Sequence, residues 1–191
     1  MKKRLGDIAE IRFGPYLKAQ DSGQCKYLKA SHFNKQAKLT KFEHSFVDFD
    51  GKSERELLRS NDLILAGKGQ RNFAWAYEED KGPCVASSLF FVITPYDKNL
   101  DSAYLALYLN SERLQHKLRL ISGGLTIPSI SKKELENLVI DVPGIQEQKK
   151  FVHMAELLND DVELTEKLLV KKRAMRKTIL NKMIRNLKKK S

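Results

Sequence analysis

The sequence predicts an α+β fold: one globular domain with an irregular, mostly antiparallel sheet and covering helices, followed by one long C-terminal helix. In the first three quarters of the chain, short β-rich runs alternate with glycine and proline turns. After Pro143-Gly144 neither glycine nor proline occurs again, and apolar residues recur at helical spacing. The length of 191 residues suits one core-forming domain with an appendage. We therefore divide the chain into residues 1–144 and 145–191.

Strands and one helix are predicted in the first domain. The predicted strands are the runs Ile8 to Phe13, Tyr27 to Ala30, Asp62 to Ala66 and Val85 to Ile93, separated by Gly14-Pro15, Gly67-Lys68-Gly69 and Gly82-Pro83. Leu105, Tyr108, Leu109, Leu114 and Leu118 recur at helical spacing. They predict one amphipathic helix between Ser102 and Leu120 that covers the sheet.

The exit from this domain contains a turn, a helix start and a strand in close succession. Gly123-Gly124 supplies the backbone freedom for a turn, and Ser131 with Glu134 matches a capping box, so a short helix should start at Ser131. Leu138-Val139-Ile140 then predicts a buried strand, which Pro143-Gly144 ends.

The C-terminal segment predicts a single helix with an apolar stripe. Its members are Phe151, Ala155, Leu158, Val162, Leu169, Ile179 and Met183, and Thr165, Lys172 and Arg176 interrupt them. Such a helix would extend roughly 65 Å at about 1.5 Å per residue, far beyond the diameter of the first domain. It therefore needs another helix to cover the stripe.

Charge is divided unevenly along this helix. The segment from Gln146 to Glu166 contains six acidic residues and only two basic ones, Lys149 and Lys150. The segment from Lys167 to Ser191 contains eleven basic residues and no acidic one. Two copies packed antiparallel would place each acidic half beside the other's basic half. We expect an antiparallel homodimer through a coiled coil. The alternative is that the basic end is a solvated tail or a nucleic-acid arm.

Composition indicates which partners the protein binds and in which cellular compartment it functions. The formal net charge is +11, which favours a polyanion such as nucleic acid. Cys25 and Cys84 form no CxxC pair, so neither a zinc site nor a disulfide framework is indicated. A reducing cytoplasm fits best. No apolar run approaches the roughly 20 residues that span a bilayer, so we expect no membrane association and no secretion.

Catalytic signatures are weak. The sequence contains no GxxxxGK[ST] loop, and its four histidines show no ligand-like spacing, so no metal site is predicted. Asp62 with Glu79 and Lys81 loosely resembles the carboxylate and lysine set of metal-dependent nucleases. However, Asn61 rather than proline precedes Asp62, and residues 78–81 resemble an exposed hairpin tip. A nuclease remains an alternative, as does a non-catalytic coiled-coil regulatory protein.

Two loops combine phosphate binders with side chains able to read base edges. The segment from Thr126 to Ser129 either lines the binding pocket or consists of buried hydroxyls that are satisfied within the fold. The candidate DNA-binding residues are Lys29, Ser31, His32, Asn34, Lys35, Lys68, Gln70, Arg71, Asn72, Thr126 and Ser129. Arg71 could fork onto guanine, and Gln70 or Asn72 onto adenine. The competing interpretation is that Lys29, Ser31 and His32 only shape a turn. We expect Phe73 and Trp75 to be core residues.

Seven segments, in order, resemble the specificity subunit of type I restriction-modification enzymes. They are Leu5 to Ile11 with Gly14, Tyr27 to Ala30, Asn61 to Gly69, Ser87 to Phe90, Tyr104 to Ser111, Gly124 to Ile130 and Pro143 to Gln148. The resemblance covers essentially the whole chain. Each segment alone is weak evidence for the family, whereas seven segments in this order are specific for it.

The resemblance implies a target recognition domain that reads one half of a split site in double-stranded DNA. The helix that follows would space this domain and dock methyltransferase subunits and, through them, the restriction subunit. Full-length members carry two domain-and-helix units, so this chain is expected to be a half-subunit that dimerises and recognises two inverted half-sequences. It would catalyse nothing and hold no cofactor: methylation with S-adenosylmethionine and ATP-driven cleavage would belong to the partners.

Overall fold

The computed structural model describes residues 1–40, 42, 44–48, 53–123 and 128–188, except for the side chains of residues 53 and 186–188. These residues form two compact units, one from Met1 to Lys149 and a second that begins at Lys150. The first is a mixed α+β unit and the second is helical, so the predicted fold class is confirmed.

The described residues of the first unit form nine strands in three sheets. They are β1 (Lys2–Arg4), β2 (Ala9–Phe13), β3 (Cys25–Leu28), β4 (Phe46–Val47), β5 (Leu63–Ala66), β6 (Ala74–Ala76), β7 (Cys84–Ala86), β8 (Phe90–Pro95) and β9 (Val139–Asp141). The central sheet has the order β2-β8-β5-β6 and is antiparallel throughout. A second sheet, β4-β3-β7, pairs β3 with β7 in parallel. β1 pairs with β9.

The central sheet is built around β5 and β8, which are buried almost completely. Every residue of β5 is buried, and Phe90 to Ile93 in β8 are at most 1% exposed. Continuous apolar runs of this kind predict strands covered on both faces. Phe33, Phe73 and Trp75 pack around Phe90 and confirm that Phe73 and Trp75 belong to the core.

The predicted strand from Val85 to Ile93 was wrong as one element. A turn over Ser87 to Leu89 divides it into β7 and β8, which belong to different sheets. The Phe90 amide closes this turn on the Ser87 carbonyl at 2.9 Å. The short strands β1, β4 and β6 were not predicted, since two or three residues carry too little periodicity.

The predicted helix between Ser102 and Leu120 is two helices, α1 (Ser102–Leu109) and α2 (Glu112–Ile121). They are separated at Asn110. The Asn110 side chain accepts a hydrogen bond from the Ala74 amide and donates one to the Ala74 carbonyl, each at 2.8 Å. This pairing with β6 stops α1 at the edge of the sheet, and periodicity alone does not reveal it.

The exit segment follows the predicted order. Helix α3 (Lys132–Glu136) starts after Ser131, whose hydroxyl accepts from the Glu134 amide at 3.2 Å while the Glu134 carboxylate accepts from the Ser131 amide at 2.9 Å. The predicted strand forms as β9, with Ile140 buried and Val139 exposed. Gly124 lies outside the described residues.

The long helix is α4 (Ile145–Lys188), 44 residues in length. Its first turn belongs to the first unit, where Gln148 is completely buried. The Gln148 side chain accepts from the Asp101 amide at 3.0 Å and donates to the carbonyls of Asn99 and Pro143 at 2.7 and 2.8 Å. These three bonds anchor the start of α4.

Candidate nucleic-acid interface

Backbone contacts join the loop after β5 to the segment before α3. Lys68 and Ser129 form an isolated antiparallel bridge. On either side of it, the Gly69 amide donates to Pro128 and the Ile130 amide donates to Gly67, both at 2.9 Å. Two segments that are about 60 residues apart in sequence therefore form one surface.

Arg71 connects this surface to the loop after β3. Its guanidinium donates to the Phe33 carbonyl at 3.2 Å and lies 4.5 Å from the centre of the Phe73 ring. A cation at this distance from an aromatic face is attracted by the ring quadrupole. The structure thus brings all three predicted recognition segments together, as far as their residues are described.

An open cleft of about 500 Å³ lies where these loops meet. It is lined by Ala30, Phe33, Lys68, Gly69, Gln70, Arg71, Phe73 and Leu89. Its described lining combines two cations with an apolar floor and contains no acidic residue. Such a surface suits a ligand that presents both anionic groups and apolar edges.

Several predicted residues are accessible in the segments that meet near the cleft. Ser31, Lys35, Lys68, Gln70 and Arg71 are exposed, and Lys29 and Ser129 are half-buried. The Lys29 ammonium lies 6.0 Å from the Tyr27 ring centre, and that of Lys68 lies 5.8 Å from the Phe13 ring centre.

Three other predicted residues use their side chains to shape the loops. The buried His32 accepts from the Lys29 amide through Nδ1 at 3.1 Å, and burial together with the Lys29 charge lowers its pKa. Asn34 accepts from the amides of Gln36 and Lys38 at 3.0 and 2.9 Å. The buried Asn72 donates to the Ala66 carbonyl at 2.8 Å. Thr126 lies outside the described residues.

Two exposed apolar residues near the cleft were not singled out from the sequence. Phe13 is 48% exposed and Leu89 is 40% exposed. Leu89 lies in a turn, where polar residues are favoured, and this could have drawn attention to it. The sequence does not show this, because the run from Val85 to Ile93 was predicted as one strand.

The nuclease alternative gains no support from the geometry. Asp62 is 2% exposed and accepts from the Arg59 amide at 2.9 Å and the Thr94 hydroxyl at 2.6 Å, so its carboxylate is part of the fold. Lys81 lies on a surface turn, where hydrogen bonds to Glu78 and Asp80 raise its pKa. Within the described ranges no three His, Cys, Asp or Glu residues cluster to hold a metal ion.

The two cysteines are also part of the core. Cys25 and Cys84 are at most 1% exposed. Burial raises the pKa of Cys25 to about 12 and that of Cys84 to about 11. Both thiols are therefore protonated at neutral pH, when a thiol is a poor nucleophile.

Comparison with known proteins agrees with the geometry. Residues 1–171 match the family described as "Type I restriction modification DNA specificity domain". The chain belongs to this family. The resemblance to specificity subunits of type I restriction-modification enzymes, stated from the sequence, is therefore confirmed.

Solved structures share the fold of this specificity domain. A type I restriction-modification S subunit from M. genitalium is 16% identical, with a TM-score of 0.58 over 85% of this chain and 40% of that one. The HsdS subunit from Thermoanaerobacter tengcongensis is 17% identical, with a TM-score of 0.55 over 85% and 38%.

A third similar chain comes from a structural study of complex assembly and conformational transition of the type I R-M system. It is 18% identical, with a TM-score of 0.65 over 94% of this chain and 43% of that one. The specificity domain described here thus spans about two fifths of the length of the solved chains it matches. Among its described residues, no helix is long and apolar enough to cross a membrane.

Proposed function

We propose that residues 1–144 are a target recognition domain that reads a half-site in double-stranded DNA, and that residues 145–191 are a spacer that pairs and docks partners. The observation that supports the first part is that the loops after β3 and β5 meet at one cleft lined by Lys68 and Arg71, with the segment before α3 paired to Lys68. Phosphate contacts position a protein on DNA, while side chains at base edges specify the sequence.

The accessible residues divide between these two roles by their chemistry. Lys35 and Lys68 are exposed ammonium groups suited to phosphates. Gln70 is exposed in the same loop as Lys68 and carries the amide that pairs with adenine. Arg71 donates one of its five guanidinium N–H groups to the Phe33 carbonyl. This bond orients the guanidinium and leaves other N–H groups free to donate to a guanine.

For the spacer, the proposal rests on the exposed apolar face of α4. Leu158, Val162, Leu169, Ile179 and Met183 are 45% to 60% exposed although they repeat at heptad-like spacing. Leaving such a stripe in water is unfavourable, by about 25 cal/mol per Å² of apolar surface. A second copy packed antiparallel covers it and pairs the acidic half of each helix with the basic half of the other.

The apolar face is wider than one coiled-coil seam. A second row, comprising Met154, Leu157, Leu164, Leu168 and Met175, is 51% to 64% exposed. At about 100° per residue the two rows together occupy roughly half the helix circumference. One partner helix covers only one row, so the second row supports the docking of methyltransferase subunits, with the restriction subunit bound through them.

A homodimer of this kind would present two recognition domains related by a two-fold axis. Its target would be two inverted copies of one half-sequence, separated by a gap that the paired helices fix. Methylation and cleavage would be carried out by the partner subunits, and this chain would need no cofactor for recognition.

Charge reversal in the two loops that meet at the cleft tests the DNA-binding proposal. We expect Lys35→Glu and Lys68→Glu each to weaken duplex binding about tenfold or more at about 0.1 M salt and to reduce the salt dependence of the affinity. Lys98→Glu changes the same charge at an exposed site in the turn after β8 and is the matched control. The measurement is a duplex-binding titration at several salt concentrations.

The proposal would be contradicted by equal losses for all three variants, because a non-specific basic surface makes no distinction between these lysines. Gln70→Ala separates reading from positioning: it should alter the preferred sequence more than the affinity for random duplex.

A further inference from the structure

Leu89 is an apolar residue in an unexpected position. It occupies the turn between β7 and β8, is 40% exposed, and lines the cleft together with Ala30. Turns favour Gly, Asn, Asp and Ser because these residues satisfy or adapt the local backbone. Local structure therefore does not account for a leucine here.

The backbone holds Leu89 against the loop that carries Lys68. The Gly67 amide donates to the Leu89 carbonyl at 3.0 Å. A Cβ atom on Gly67 would lie 2.3 Å from the buried Phe91 ring, so a glycine is needed where this loop passes β8. The Leu89 side chain is thus presented at a fixed place beside the cations of the cleft.

The neighbouring Phe13 continues the same surface. It is 48% exposed, its ring centre lies 4.6 Å from that of Phe91, and the Lys68 ammonium lies 5.8 Å from it. Lys68 is therefore held between an apolar ring and the cleft. Apolar side chains that lie beside cations suit a polyanion that also exposes apolar groups.

We propose that Leu89, with Ala30, contacts the 5-methyl group of a pyrimidine in the major groove of the target. The inference deepens the DNA recognition proposed above and rests on it. The thymine methyl is the apolar group that projects into the major groove, where apolar side chains read it. Because 5-methylcytosine carries the same group, the experiment distinguishes the two bases.

The test uses the full chain and a duplex that it enriches from a random pool. Each thymine is replaced in turn by uracil, which removes only the methyl group, and each cytosine by 5-methylcytosine. At one position in each half-site, we expect uracil to weaken binding about fourfold, the effect of exposing one methyl group. Leu89→Ala should bind both duplexes equally.

Leu120→Ala is the control variant, because Leu120 is 68% exposed on α2 and does not line the cleft. It should retain the fourfold difference. If binding instead strengthens on cytosine methylation, and only with Leu89 present, the group read belongs to 5-methylcytosine.

An enriched sequence at which no methyl effect depends on Leu89 would overturn this inference alone. A pool that yields no enriched sequence would overturn the proposed recognition function and this inference with it.

Discussion

At the residue scale, polar side chains near the proposed interface divide into those that build the loops and those that remain accessible. His32 belongs to the first group. Its Nδ1 accepts from Lys29, which requires an unprotonated ring nitrogen, and burial followed by the Lys29 charge lowers its pKa from the ordinary 6.5. Neutral His32 therefore stabilises the loop from Lys29 to Phe33.

This pKa shift has a defined consequence for stability. Because the pKa of His32 is lower in the folded state, neutral His32 contributes its full stabilisation above the unfolded pKa of 6.5. This contribution is lost as the pH falls through the lower folded pKa. Between about pH 7 and pH 5, we expect the free energy of unfolding of the wild type to decrease more than that of His32→Gln. Denaturant titrations at both pH values measure this, and identical pH dependence would refute the assignment.

Asp62 provides a second test at this scale. Asp62→Ala removes the buried carboxylate that accepts from the Arg59 amide and the Thr94 hydroxyl, so we expect the free energy of unfolding to decrease by about 2 kcal/mol. Asp62→Asn retains the volume and one acceptor and should lose less. Equal stability of all three proteins, with loss of a metal-dependent DNA cleavage activity in the variants, would instead restore the nuclease interpretation.

At the element scale, the anchoring of α4 depends on Gln148. Gln148→Ala leaves the Asp101 amide and two carbonyls without their partner, and we expect the free energy of unfolding of the first unit to decrease by about 3 kcal/mol. Gln146 lies two residues earlier in α4 and is exposed. Gln146→Ala should therefore change the free energy of unfolding by less than about 0.5 kcal/mol. Thermal and chemical unfolding of the two variants measure the difference.

Pairing through α4 also belongs to this scale. Lys171, Arg173 and Lys177 are exposed in the basic half, and their replacement by glutamate should weaken an antiparallel pair at low salt. The effect should disappear near 1 M salt, where the screening length is about 3 Å. Leu169→Glu, which disrupts the apolar seam, should weaken association at every salt concentration.

Light scattering measures both effects against the chain mass of 21.9 kDa. A wild type of about twice this mass is expected. A low-salt mass that is unchanged by the triple charge reversal would contradict the antiparallel arrangement, even if the chain is a dimer.

The sequence predicted elements well where several residues repeat a signal. The continuous apolar run gave β5, the capping box gave α3, and the long stretch without glycine or proline gave α4. It missed β6, which is only three residues long. It also missed the break at Asn110, because this break depends on a long-range contact between Asn110 and Ala74. The recognition segments were predictable as polar loops, whereas their convergence depended on tertiary pairing such as Lys68 with Ser129.

At the scale of the whole molecule, the two units carry separable parts of the proposed function. The first presents a basic cleft built from three loops, and the second presents an apolar face with a divided charge. A net charge of +11 promotes encounter with DNA at any sequence. Specificity therefore has to come from the few side chains at the cleft.

The most direct test is enrichment of duplexes from a random pool by the full chain, followed by sequencing. We predict two inverted copies of one short sequence separated by a gap of constant length. A single enriched half-site would contradict the paired arrangement, and the absence of any enriched sequence would contradict target recognition by this chain.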